Sequence, residues 1–102
     1  MTVEGLEITR HEHPTHGEYR AHVPGTDAIG RLTWTARGGV RIAEHTLVPS
    51  EIGGRGIAGE LVEAMVADAK KEGFTIEPQC SYVAAKFREH PAWSDLRAPM
   101  PS

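Results

Sequence analysis

Apolar and polar residues alternate through most of the first half of the chain. Leu6 and Ile8, then Tyr19, Ala21 and Val23, fall at two-residue spacing on either side of a polar, histidine-rich break from His11 to Gly17. A strand that turns one face inward shows this spacing. Val23-Pro24-Gly25-Thr26-Asp27 predicts a turn, because proline presets φ while glycine and aspartate accept unusual backbone angles. Ile29 to Ala36 alternates again, with Leu32, Trp34 and Ala36 opposing Arg31, Thr33 and Thr35, and Gly38-Gly39 permits a tight hairpin. Val40 to Val48 is a third alternating segment, with Val40, Ile42 and Glu44 on one face and His45 therefore on the other. Three such segments joined by short connections predict an antiparallel meander.

The period then changes. Ile57, Leu61, Val62, Met65, Val66 and Ala69 recur at steps of three and four, with charged residues between them, and Gly73 follows as a stop. This is the pattern of an amphipathic helix. Phe74 to Pro78 is a short strand candidate, Ser81 is placed to cap a second helix running to about His90, and Pro91 ends it. Residues 97–102, rich in proline, are expected to fray. The resulting fold class is mixed α/β, with a mainly antiparallel sheet and a glycine-rich loop leading into a helix.

Composition sets limits on this picture. A chain of 102 residues with 39% hydrophobic content fits one compact domain. A net charge of −3 argues against a basic nucleic-acid binder, and one cysteine leaves no intramolecular disulfide. Met1 to Arg10 does not read as a signal peptide, and no apolar run approaches the roughly 20 residues of a membrane span. A small cytoplasmic protein without a membrane or nucleic-acid partner is expected, a monomer or, given the exposed edges of so small a sheet, a homodimer. His11, His13 and His16 read as a solvated turn rather than a metal site, and Trp34 and Trp93 as packing residues.

The segment from Pro49 to Gly59 carries four glycines in seven residues where a strand meets a helix. The start of a helix has unpaired amides and partial positive charge, and glycine lets a phosphate approach them. Arg55 adds a cation, although a plain strand-to-helix turn has the same composition. No Gly-Lys-Ser/Thr follows at Walker spacing, and a loop that closes a meander lacks the context of a dinucleotide fingerprint.

Gly53-Gly54-Arg55-Gly56-Ile57-Ala58, preceded by Val48-Pro49 and followed by an amphipathic helix, resembles the acetyl-CoA signature of the GCN5-related N-acetyltransferases (GNAT). That signature runs Arg/Gln-x-x-Gly-x-Gly/Ala; Gly53 stands at its first position, with Arg55 as a nearby cation. The runs from Glu44 to Pro49, from Pro78 to Ala85 and from Arg88 to Pro91 further resemble the short YjdJ-like subgroup. The resemblance implies a GNAT-like fold that binds acetyl-CoA as cosubstrate and transfers its acetyl group to an amine. It places pantetheine beside Leu47 and Val48, pyrophosphate on Gly53, Gly54, Arg55, Gly56, Ile57 and Ala58, and the nucleotide or thioester end by Lys86 and Phe87. Where relatives carry a tyrosine acid, this chain has Lys86, with Tyr82 one turn earlier.

Two residues are candidates for the chemistry. Cys80 lies between a strand and a helix, where the helix dipole favours thiolate, and beside a thioester it would carry the acyl group or polarise the carbonyl. The plain alternative is a small buried residue. His45, at the end of the third segment, is a candidate base or thiol-orienting group. A non-catalytic acyl-CoA-binding or protein-interaction module remains the alternative to an enzyme.

Overall fold

The computed structural model describes residues 3–99. Four antiparallel strands come first: β1 (Glu7–Glu12), β2 (His16–His22), β3 (Ile29–Arg37) and β4 (Val40–Leu47). Helix α1 (Ile57–Glu72) follows, then β5 (Thr75–Pro78) and helix α2 (Ser81–Glu89). β5 pairs in parallel with β4, which gives a mixed sheet in the order β1-β2-β3-β4-β5. The meander thus has four strands rather than three. The expected histidine-rich break is confined to the turn between β1 and β2, and His11 and His16 lie within the strands themselves.

The alternation is realised on one face of the sheet. Tyr19, Ala21, Leu32, Trp34, Ala43 and Ile76 are buried, and α1 covers them with Ile57, Leu61, Val62, Met65, Val66 and Ala69. Each large apolar side chain so enclosed contributes about 1.5–3 kcal/mol relative to exposure. Gly73 ends α1 in the left-handed conformation (φ 83°), its amide bonded to the Ala69 carbonyl. Val83 and Phe87 bring α2 into the same core, where the Phe87 ring meets Trp93 edge-on at 5.5 Å. The opposite face of the sheet carries the polar set.

Two details differ from the sequence reading. Cys80, not Ser81, is the N-cap of α2. Nor does the chain fray at 97: a short 3-10 segment (Pro91–Leu96) returns it to β5, Arg97 bridges to Ile76, and the amide of Ala98, a buried residue, donates to the Ile76 carbonyl at 2.8 Å. The rest of the expected frayed tail, residues 100–102, lies outside the described residues.

Arg10 joins β1 to α1. Its guanidinium bonds Glu72, Asp68 at 3.0 Å and Glu12 at 2.7 Å, and the Tyr19 hydroxyl donates to Asp68 at 2.8 Å. Arg10 holds the carboxyls of Glu72 and Glu12 below the usual range. Groups of this kind contribute stability above their unfolded pKa near 4.3, and the contribution is lost as pH falls through the lower folded value. Arg10→Gln should therefore cost about 1 kcal/mol at pH 7, the scale of a partly exposed ion-pair cluster. The gap in melting temperature between the two proteins should narrow from pH 6 to pH 3. A gap that is constant or wider at pH 3 would contradict the assignment.

Candidate active site: a strand fork above a glycine loop

The pairing of β4 with β5 is short. It runs from Val40↔Thr75 to Ala43↔Pro78, while β4 continues to Leu47. The two chains part at Cys80, whose amide donates to the Ala43 carbonyl at 2.9 Å as the chain turns into α2. Beyond this point the β5-side edge of β4 has no strand partner among the described residues. The result is a fork with Cys80 at its apex.

A bulge decides which side chains face the apex. Thr33 pairs with His45 but Trp34 pairs with Ala43, so Glu44 is an extra residue opposite no partner. From there on the faces exchange. Thr46, paired with Leu32, lies on the core side, and its hydroxyl is 3.5 Å from the Cys80 sulfur. His45 and Leu47 face outward with Thr33 and Arg31. Glu44 faces outward too, accepting a hydrogen bond from the Thr35 hydroxyl at 3.4 Å. The expected opposition of Glu44 and His45 is thus overturned, since it assumed a regular strand. The thiol's neighbour is Thr46 rather than His45.

Partial burial pushes the Cys80 thiol up, but the Thr46 hydroxyl and the backbone amides of Val83 and Tyr82 outweigh it, and the net displacement is downward. The thiolate is therefore favoured relative to an ordinary cysteine, as expected for a sulfur at a helix start.

The loop after β4 passes through a 3-10 turn (Ser50–Ile52) to Gly54 (φ 73°) and Gly56 (φ 76°), both in the left-handed region. Gly56 caps α1 without a side chain, and the first helical bond reaches it from the Glu60 amide at 3.2 Å. The geometry of a helix leaves the amides of Ile57, Ala58 and Gly59 without intrahelical acceptors. α2 lies against this end: a Cβ on Gly59 would meet the Tyr82 hydroxyl at 3.5 Å and the Lys86 Nζ at 4.0 Å. The Lys86 ammonium thus lies against the start of α1, with the exposed Arg55 in the loop that leads into it. Lys86 bonds Glu89 at 3.3 Å, which raises its pKa and keeps it protonated. It is a cation here, not the neutral base that burial would have made.

The family model for the GCN5-related N-acetyltransferase matches residues 18–96, most of the chain. The chain belongs to the GCN5-related N-acetyltransferase family. The match is to the family and does not single out its YjdJ-like subgroup. A Staphylococcus aureus protein described as GCN5-like and solved by NMR shares the fold, with 20% identity over 96% of this chain and 93% of that one at a TM-score of 0.69. No curated protein matches the chain.

Within this GNAT domain the sequence-selected residues divide into two sets. Leu47, Val48, Gly53, Gly54, Arg55, Gly56 and Ala58 follow the free edge of β4 around to the start of α1. Leu47 is 59% exposed on that edge. Ile57 and Phe87 are committed elsewhere: both side chains are in the core, so only the backbone of Ile57 faces the loop and Phe87 is turned away from it. Tyr82 and Gly59 join the site beside Lys86, as Thr46 does beside Cys80. The helical spacing of 82 and 86 signals the first; nothing in the sequence signals Thr46, because the bulge is visible only in the register. Among the described residues no helix is long and apolar enough to cross a membrane, and no three His, Cys, Asp or Glu side chains are grouped as metal ligands would be.

Proposed function

We propose that the protein is a cytoplasmic N-acetyltransferase that takes the acetyl group of acetyl-CoA through Cys80 to an amine. The observation that carries this reading is the fork, with the Cys80 thiol beside the Thr46 hydroxyl at its apex and the start of α1, with Lys86 against it, at its mouth. Pantetheine lies along the free edge of β4, at Leu47 and Val48, and takes the backbone bonds that β5 leaves unmade. The pyrophosphate rests on Gly53 to Ala58 at the start of α1, with Arg55 and Lys86 as counter-charges. The Cys80 thiolate attacks the acetyl carbonyl, and the C–S bond to CoA breaks as the CoA thiolate leaves and takes a proton from solvent. The neutral amine then attacks acetyl-Cys80, passes its proton to His45 on the outer side of the fork, and frees the thiolate. A reducing compartment suits a cysteine used in this way.

Calorimetric titration tests the cofactor. Acetyl-CoA should saturate the protein at micromolar concentration while ATP does not, and the absence of binding up to millimolar acetyl-CoA would end the reading. Binding without acetylation of Cys80 or of any amine would leave an acyl-CoA-binding module. Lys86→Ala should weaken acetyl-CoA about tenfold, or about 1.4 kcal/mol, as the loss of one cation facing phosphate would. Acetyl-pantetheine, which lacks the pyrophosphate, should bind both proteins equally, and an equal loss for that compound would remove Lys86 from the phosphate site.

A further inference from the structure

Both helices pack on one face of the sheet, and the opposite face carries a groove of about 360 Å³ that crosses four strands. It runs from Glu44 on β4, over Thr33 and Thr35 on β3, to Arg20 on β2 and His11 on β1. The fork opens onto its Glu44 end, because β4–β5 pairing stops at Ala43.

The groove is electrically two-ended. Glu44 has no cation partner among the described residues and holds only the Thr35 hydroxyl. On β2 the balance is reversed: Glu18 is shared by the guanidiniums of Arg20 and Arg31, which leaves one positive charge in excess. Adjacent strands lie about 4.8 Å apart and the register sets Arg20 level with Leu47, so the two ends stand roughly 13 Å from each other at the backbone. The Thr33 hydroxyl between them is buried with no hydrogen-bond partner. A volume of this size suits a small molecule.

We propose that this groove is the acceptor site and that the acceptor is a small aminoalkyl compound with an anionic group at the far end. Its ammonium lies against Glu44, next to the fork, and its anion against Arg20. The assignment rests on the acetyl-transfer reading above and narrows it to a substrate class.

Amide shifts in NMR titrations of the full chain separate the two ideas. Added without acetyl-CoA, 6-aminohexanoate should shift the amides of residues 16–20, 33–35 and 44, and should bind at least tenfold more tightly than hexylamine or hexanoate. Glu44→Gln should weaken 6-aminohexanoate about tenfold and leave acetyl-CoA binding, read from shifts in residues 53–58, unchanged. Glu44→Asp, which keeps the charge, should retain most of the affinity. Acetyl-CoA binding without a saturable amine shift, or equal binding of the three probes, overturns the groove assignment and leaves the cofactor reading intact. Amine binding in the groove without acetyl-CoA binding supports the amine site and overturns the transfer reading.

Discussion

Cys80→Ala should lower acetyl transfer at least about a thousandfold, some 4 kcal/mol of barrier, while acetyl-CoA affinity stays within twofold of wild type. The split follows from where the residue sits. Its sulfur is at the fork's apex beside the Thr46 hydroxyl, whereas the groups assigned to phosphate lie at the start of α1. Cys80→Ser should be as inactive, since a hydroxyl in the same surroundings stays protonated. The sign of the pH dependence is also fixed. A thiol shifted below its ordinary value is protonated and idle at low pH, so the rate should rise with pH through a midpoint lower than that of an unperturbed cysteine. Thr46→Val removes the first of the lowering contacts and keeps the sulfur, so it should move that midpoint upward. Full activity in Cys80→Ala, or an unmoved midpoint in Thr46→Val, would exclude the thiol from the chemistry and leave direct attack of the amine on acetyl-CoA.

Gly17→Ala is expected to be the most damaging small change in the sheet, although nothing in it touches the fork. Gly17 sits on β2 where the indole of Trp34 lies across the backbone. A Cβ there would fall 2.5 Å from Cζ2 and 2.8 Å from Cε2 of that ring, and 2.7 Å from the His11 carbonyl oxygen. The ring has little room to retreat. Trp34 is buried, and its outer side is covered by the Arg41 guanidinium at 4.2 Å, which is itself held against Phe74 at 4.3 Å. Overpacking of this kind costs about 3 kcal/mol, near the upper end of the usual range. In a domain of this size that is a fall of roughly 15 °C in melting temperature. Gly39→Ala, at a hairpin position with nothing within 4 Å, is the matching control and should change it little. A melting temperature for Gly17→Ala within about 3 °C of wild type would show that the ring and strand can part at low cost.

Much of this arrangement can be read from the amino-acid order, and the failures have a common cause. The meander, α1 and its glycine stop follow from periodicity, because each is set by neighbours close in the chain. The bulge at Glu44 is not, since it is defined by which residue of β3 stands opposite, and one extra residue reverses the face of everything after it. His45 was expected at the thiol for that reason, and Thr46 is found there. Phe87 and Lys86 are adjacent on α2, yet one is buried against Trp93 and the other reaches the start of α1, as the angle between helical neighbours requires. The return of Ala98 to β5 depends on a contact twenty-two positions away, beyond any local pattern.

The fork is closed by the longest-range strand pairing in the described chain, Val40 with Thr75, whereas β1 to β4 pair with near neighbours. Closing so long a loop is entropically dearer than forming a hairpin, so the four-strand meander is the part able to form first and β5 with α2 the part to dock last. The same order in reverse governs breathing of the folded protein. Amide hydrogens of Ile76, Glu77, Gln79 and Cys80 should exchange through partial openings that leave β2 and β3 protected. Such an opening widens the cleft without unfolding the sheet, so a bulky CoA thioester can enter and leave at the cost of a few bonds rather than of the whole domain. Occupancy by that thioester would then slow exchange in β5 more than anywhere else, making the last-docked strand the most sensitive reporter of the loaded state.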